Sequence, residues 1–122
     1  MCGIVGVISF NDNFRVTEPY LTSMRDAIAH RGPDGAGNWI SSDGMVGLGH
    51  RRLAIVDLSR AASQPMSNED GSLWVSFNGE IYNHAEIRGE LESLGGHRWK
   101  TDHSDTEVIV HAFEQYTHRV SR

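Results

Sequence analysis

At 122 residues the chain is long enough for one domain with a modest core and too short for two. Its 39% hydrophobic and 22% charged residues are an ordinary globular composition, and a formal net charge of −5 provides no basic footprint for nucleic acid. One cysteine allows no internal disulfide, the lack of a Cys-x-x-Cys pair removes the usual zinc spacings, and both fit a cytoplasmic location with no metal expected among seven scattered histidines.

Cys2 stands directly after the initiator Met1 and opens the apolar run Gly3-Ile4-Val5-Gly6-Val7-Ile8. That run has no basic residue ahead of it and stops at Asn11-Asp12-Asn13, so it is too short to span a membrane and wrongly flanked for a signal peptide. Its continuous β-branched character predicts a strand from about Gly3 to Ser9, buried on both faces in the middle of a covered sheet. Leu21, Met24, Ala27 and Ile28 recur at helical spacing through Glu18 to His30, with Pro19 in the first turn. His30-Arg31-Gly32-Pro33-Asp34-Gly35 ends that helix in a tight loop.

Short strands are predicted at Asn38 to Ser41, Met45 to His50 and Leu53 to Val56, followed by a loop holding Gln64-Pro65. Another is expected at Leu73 to Phe77, between Asp70-Gly71 and Asn78-Gly79. Asn83 is placed to cap a helix carrying Ile87, Leu91 and Leu94 and stopped by Gly95-Gly96. After a short strand near His97 to Thr101, Ser104 and Glu107 match a capping box. Val108, Ile109, Ala112, Phe113 and Tyr116 then give a third helix an apolar face. No internal repeat or linker marks a domain boundary.

Removal of Met1 would make Cys2 a nucleophile and a base in one residue. An N-terminal α-amine has a pKa of about 7.7–8.0 and can take the thiol proton near neutral pH. The plain alternative is a small buried hydrophobe at a strand start. Arg52 offers a planar fork for a carboxylate, though arginine is more often a solvated or salt-bridged surface group. Asn78 and Gly79 can point an amide and an unhindered N–H at an oxyanion, or form a type I′ turn. Glu80 follows them, and Asp105 in the first turn of the third helix has complementing the helix dipole as its default role.

These residues fall in five segments, taken in order: Cys2-Gly3-Ile4-Val5-Gly6, His30 to Asp34, His50-Arg51-Arg52-Leu53-Ala54-Ile55-Val56-Asp57, Asn78-Gly79-Glu80-Ile81-Tyr82-Asn83 and Ser104-Asp105-Thr106-Glu107. Together they resemble the glutaminase domain of glutamine-hydrolysing asparagine synthetases, a class II glutamine amidotransferase of the N-terminal nucleophile hydrolase type. The resemblance runs from Cys2 to at least Phe113. Pro33-Asp34 and Glu80 to Asn83 are similar to the asparagine synthetase branch rather than to amidophosphoribosyltransferase, and Cys2 argues against the β-lactam synthetases of the same group.

The resemblance implies an α+β fold, the αββα four-layer sandwich, truncated at its C-terminal side. The chain would correspond to roughly the first two-thirds of the glutaminase domain. Cys2 is implied as nucleophile, Asn78 and Gly79 as oxyanion hole, and Arg52 as holder of the glutamine α-carboxylate with backbone groups at Leu53 and Ile55 beside it. Glu80 and Asp105 are implied as partners of the α-ammonium, with Asn78 also contacting substrate. No cofactor is expected in this domain, while ATP and Mg belong to the synthetase domain that receives the ammonia. The implied partners are glutamine, that synthetase domain and a second copy of the chain, since missing strands would leave edges to pair; neither nucleic acid nor membrane is expected. A second reading is a catalytically idle binding or assembly module that keeps the fold with Met1 unprocessed, because the Cys2 nitrogen is then an amide and no base.

Overall fold

A computed structural model describes residues 2–53, 62–102 and 104–117. The strand expected over 53–56, apart from Leu53, lies outside them. The chain divides into two compact units, one within Met1–Ile55, Ser63–Pro65 and Ser76–Asn78, the other within Val56–Ala62, Met66–Val75 and Gly79–Arg122.

The first unit contains β1 (Gly3–Ile8), α1 (Glu18–Asp26), a 3₁₀ turn at Ala29–Arg31, β2 (Gly35–Ile40) and β3 (Val46–Arg52). Thr17 caps α1 by accepting from the Tyr20 N–H, and Pro19 sits in the first turn, as its missing N–H favours. The helix is shorter than its apolar spacing suggested, because Ala29 to Arg31 tighten into the 3₁₀ turn ahead of Gly32.

The three strands form an antiparallel sheet in the order β1-β3-β2, with Gly3 opposite Arg51 and Gly35 opposite Arg52. The expectation of a central, doubly buried first strand is corrected here: β1 is an edge strand and its burial alternates. Ile4 and Ile8 are 48% and 60% exposed. The continuous β-branched run satisfies two different environments with the same residue types. Val5 packs close to Gly49 on the α1 side of the sheet, while Ile4 and Ile8 project from the other side.

Glycines on β3 let α1 approach closely. A Cβ on Gly47 would lie 2.7 Å from Val16 Cγ1 and 3.3 Å from Leu21 Cδ2, and Val16 and Leu21 are the buried apolar residues of this contact. Asn38 on β2 then locks the helix in place. Its amide donates to Glu18 Oε2 and Thr22 Oγ1, both at 2.9 Å, and its oxygen accepts from Arg25 at 3.1 Å.

The second unit contains β4 (Met66–Ser67), β5 (Trp74–Val75), α2 (His84–Leu94) and α3 (Asp105–Thr117). β4 and β5 form a two-residue antiparallel ladder, shorter than the strand expected over Leu73 to Phe77, and no strand forms at His97 to Thr101. α2 packs on α3, and α3 packs on both short strands. Asn83 stands at the N-cap of α2 without using its side chain, and Gly95 ends the helix with φ of 75°.

The buried side of α3 differs from the apolar stripe read in the sequence. Phe113 and Tyr116 are exposed, whereas Ser104, Glu107, Val108 and His111 turn inward. Ser104 does cap the helix, accepting from the Glu107 N–H at 3.4 Å. Glu107 does not return to Ser104 to complete the box. Its carboxylate accepts from the Thr101 N–H at 2.9 Å, the Thr101 hydroxyl at 2.6 Å and the Lys100 N–H. Burial alone would raise its pKa, but His111, Thr101 and these backbone donors outweigh burial and hold it at about 2. A fully buried anion therefore fastens Lys100 and Thr101 to α3 without a strand ladder.

Candidate active site

In the first unit the end of β3 brings together three of the expected residues. Antiparallel pairing of β1 and β3 carries Cys2 to the Arg52–Leu53 corner, where its Sγ accepts from the Leu53 N–H at 3.2 Å and donates to the Leu53 carbonyl at 3.6 Å. The Cys2 carbonyl accepts from Arg31 at 3.3 Å. The thiol is half-buried and makes polar contacts, which sets it apart from a cysteine packed purely as a hydrophobe.

The His30-Arg31-Gly32-Pro33-Asp34 loop lies against the same corner. A Cβ on Gly32 would stand 2.3 Å from the Arg51 carbonyl carbon and oxygen, so only glycine permits this approach. Arg51 donates to the Gly32 carbonyl at 3.0 Å and the Asp34 N–H donates to the Arg52 carbonyl at 2.9 Å. Arg51 is thus spent on the loop and on Asp26, while alternation along β3 turns Arg52 to the other face of the sheet, the side of His50.

Asn78 is positioned by its neighbours. His50, buried on β3, donates from Nε2 to the Phe77 carbonyl at 3.2 Å, and the Phe77 N–H donates to Gln64 Oε1 at 2.6 Å. Ser76 Oγ donates to the Gly49 carbonyl at 3.2 Å. Burial pushes the His50 pKa below its ordinary value, outweighing the hydrogen bond to Phe77, and the neutral ring suits a single donated bond. Among the described residues no non-glycine has a positive φ, so Asn78 does not open a type I′ turn and the hairpin alternative fails.

His50 and Gln64 were not singled out from the sequence as positioning groups. His50 alternates with Arg52 along β3, a signal obscured because the expected strand stopped at His50 itself.

Gly79, Glu80 and Asp105 belong to the second unit. Asp105, the first residue of α3, accepts from the Ile81 N–H through Oδ2 at 3.0 Å and so holds the Glu80–Ile81 turn on the helix N-terminus. Glu80 is exposed. Ile55 lies outside the described residues. The structure thus joins Cys2 to Leu53 beside Arg52 at the end of β3, anchors Phe77, the neighbour of Asn78, on His50, and holds Ile81 on Asp105.

The cysteine directly after Met1 at a strand start, its backbone-bound thiol and the glycine-tight loop beside it accompany a family match over residues 1–122, and the chain belongs to the glutamine amidotransferase domain family. It is 43% identical over 118 residues to "Asparagine synthetase [glutamine-hydrolyzing] 1" of Bacillus subtilis, covering 95% of this chain and 18% of that protein. It is 42% identical over 114 residues to a "Probable asparagine synthetase [glutamine-hydrolyzing]" of Dictyostelium discoideum, covering 93% of this chain and 20% of that protein. To "Asparagine synthetase [glutamine-hydrolyzing] 1" of Arabidopsis thaliana it is 39% identical over 116 residues, 95% of this chain and 19% of that protein. The chain therefore spans about a fifth of the length of these relatives. No described helix is long and apolar enough to cross a membrane.

Proposed function

We propose that this chain hydrolyses the side-chain amide of glutamine through Cys2. The observation that carries the reading is the Cys2 thiol held at the Arg52–Leu53 corner of a chain that belongs throughout to the glutamine amidotransferase family. After Met1 is removed, the Cys2 α-amine takes the thiol proton and the thiolate attacks the amide carbon. Asn78 and Gly79 donate hydrogen bonds to the oxyanion that forms. The ammonium returns its proton to the leaving nitrogen, ammonia departs, and a thioester remains. Water then cleaves the thioester, yielding glutamate and the free thiol.

Arg52 pairs with the glutamine α-carboxylate through its fork, with backbone groups at Leu53 and Ile55 beside it, and Glu80 and Asp105 pair with the α-ammonium. The opposed charges leave the amide end of the substrate for the nucleophile. Within this reading the fold is the αββα four-layer sandwich, in which a further sheet covers the face bearing Ile4 and Ile8. The ammonia passes to an ATP- and Mg-dependent synthetase domain in the cytoplasm that makes asparagine or a related amide, and copies of the chain associate through open strand edges.

The test is ammonia and glutamate release from glutamine, run beside an intact-mass measurement. The reading requires a protein lacking Met1 that releases both products in equal amounts and accumulates a thioester mass on Cys2. A Met1-free protein that binds no glutamine, or hydrolyses it equally well with Cys2→Ala, overturns the reading.

A further inference from the structure

Four side chains of the second unit, outside the proposed glutaminase machinery, direct acceptor atoms at one another. Glu69 follows β4, His97 lies between α2 and α3, and His111 and Glu114 stand one turn apart on α3. One ligand atom from each lies within 4.8 Å of the other three. Glu69 Oε1 is 3.3 Å from His111 Nδ1 and 3.9 Å from His97 Nδ1. The side chains of His97 and His111 are 3% and 1% exposed, and neither Nδ1 has a hydrogen-bond partner.

The protons of these rings are accounted for on their far sides. His97 Nε2 is 3.1 Å from Gln115 Oε1, an acceptor, so that nitrogen carries the hydrogen. His111 Nε2 is 3.6 Å from Glu107 Oε1, a carboxylate whose other contacts are all donors to it. In the tautomers that place the hydrogen on Nε2, both Nδ1 atoms present lone pairs to the cluster. Glu69 is fixed by the Arg98 N–H at 2.6 Å and Glu114 by the Asn68 amide at 3.1 Å. Two imidazole nitrogens without a hydrogen-bond partner and two carboxyl groups meet there, a donor set whose charge a cation neutralises.

We propose that Glu69, His97, His111 and Glu114 form a binding site for a divalent first-row transition ion, with zinc as the best fit. Two imidazoles and two carboxylates suit such an ion, and four protein ligands describe a closed, structural site rather than a catalytic one. Each histidine already has the outer partner on its remote nitrogen that fixes a metal-binding tautomer. A tetrahedral ion with bonds of about 2.0–2.1 Å holds its ligands about 3.3 Å apart. The Glu69–His111 pair already has that spacing, and small side-chain rotations bring in the rest. The ion ties the β4–β5 loop and the 97–101 segment to α3. Sequence spacing concealed the site because its ligands come from three separate segments with no repeated Cys or His pair.

The test is titration of the protein, first stripped with a chelator, with Zn²⁺ in equilibrium dialysis and with Co²⁺ followed by visible absorption. The expected result is one ion per chain, tight enough to be held at micromolar concentration, with the intense visible bands of a four-coordinate cobalt site. Trp99 provides a second signal, since its ring lies 4.4 Å from that of His111 and its emission is quenched by bound Co²⁺. Glu114→Gln and His97→Gln should each weaken binding by about tenfold or more, and circular dichroism identifies any variant that fails to fold. Absence of a stoichiometric ion in the folded wild-type protein overturns the proposal. So do cobalt bands that persist unchanged in folded Glu114→Gln and His97→Gln.

Discussion

The two units bury different kinds of matter. The first packs backbone against backbone, with Gly32 on Arg51 and Gly47 beneath Val16 and Leu21, so that small residues determine how closely loop and helix approach the sheet. The second packs polar side chains inside: Glu107, His111, Thr101 and Ser104 are all buried around one helix face. Precision in the first unit comes from what is missing at glycine, and in the second from the hydrogen bonds that converge on the Glu107 carboxylate.

Each unit can be perturbed without the other. The largest expected effect is chemical: Cys2→Ala should lower glutamine hydrolysis by about 10³-fold or more while hydrogen-exchange protection in both units stays at wild-type level. Next, Glu107→Ala strands the Thr101 N–H, the Thr101 hydroxyl and the Lys100 N–H. A loss of about 3–5 kcal/mol should appear in denaturant unfolding, with amide protection collapsing in the second unit first. Equal loss in both units would dissolve the distinction drawn between them.

Gly32→Ala is the counterpart in the first unit. A methyl group 2.3 Å from the Arg51 carbonyl has to push the loop off β3, costing about 1–3 kcal/mol and weakening protection at Arg51 and Arg52. Arg52→Lys exchanges a bidentate fork for a point charge. It should weaken glutamine binding by about 2 kcal/mol, read as a raised KM with little change in kcat.

The smallest effect is a pH dependence. His50 has a folded-state pKa below its unfolded value of 6.5, so the unfolded chain binds more protons between the two values. Stability of the first unit should therefore fall as pH drops from about 6.5 toward the lowered value and level off beneath it. His50→Gln, which keeps a donor for the Phe77 carbonyl, should flatten that slope in thermal melts.

The same contrast explains what could be read from the sequence. The first helix, β2 and β3 followed from apolar spacing and turn residues, with boundaries off by a few positions. Val16, Leu21 and Gly47 make the close contact between helix and sheet, and apolar and glycine positions are what such patterns record. β1 was recognised as a strand but misplaced at the sheet centre, because Ile and Val serve an exposed face as readily as a buried one when judged by type alone. For α3, the apolar face read as Val108, Ile109, Ala112, Phe113 and Tyr116 held at Val108 and failed at Phe113 and Tyr116, because buried positions also go to Glu107 and His111, whose burial depends on partners such as Thr101 that no helical period reveals. Of the site, Cys2 and the Arg52–Leu53 corner were legible through short motifs. The anchoring of Phe77 by His50 and Gln64 was not, since it joins three stretches of chain with no common pattern.

The Cys2 thiol touches both ends of one peptide residue, taking a hydrogen from Leu53 and giving one back. Loss of the thiol proton removes the second bond and leaves a negative sulfur beside a carbonyl oxygen, while the first bond becomes charge-assisted. Ionisation thus works as a latch with a built-in release. The neutral sulfur is fastened at two points; the anion is fastened at one and repelled at the other, free to swing about the Leu53 N–H toward an incoming electrophile. Alkylation of Cys2 at a fixed pH should accordingly be slower in a Leu53→Pro variant, in which the N–H that steadies the thiolate is gone.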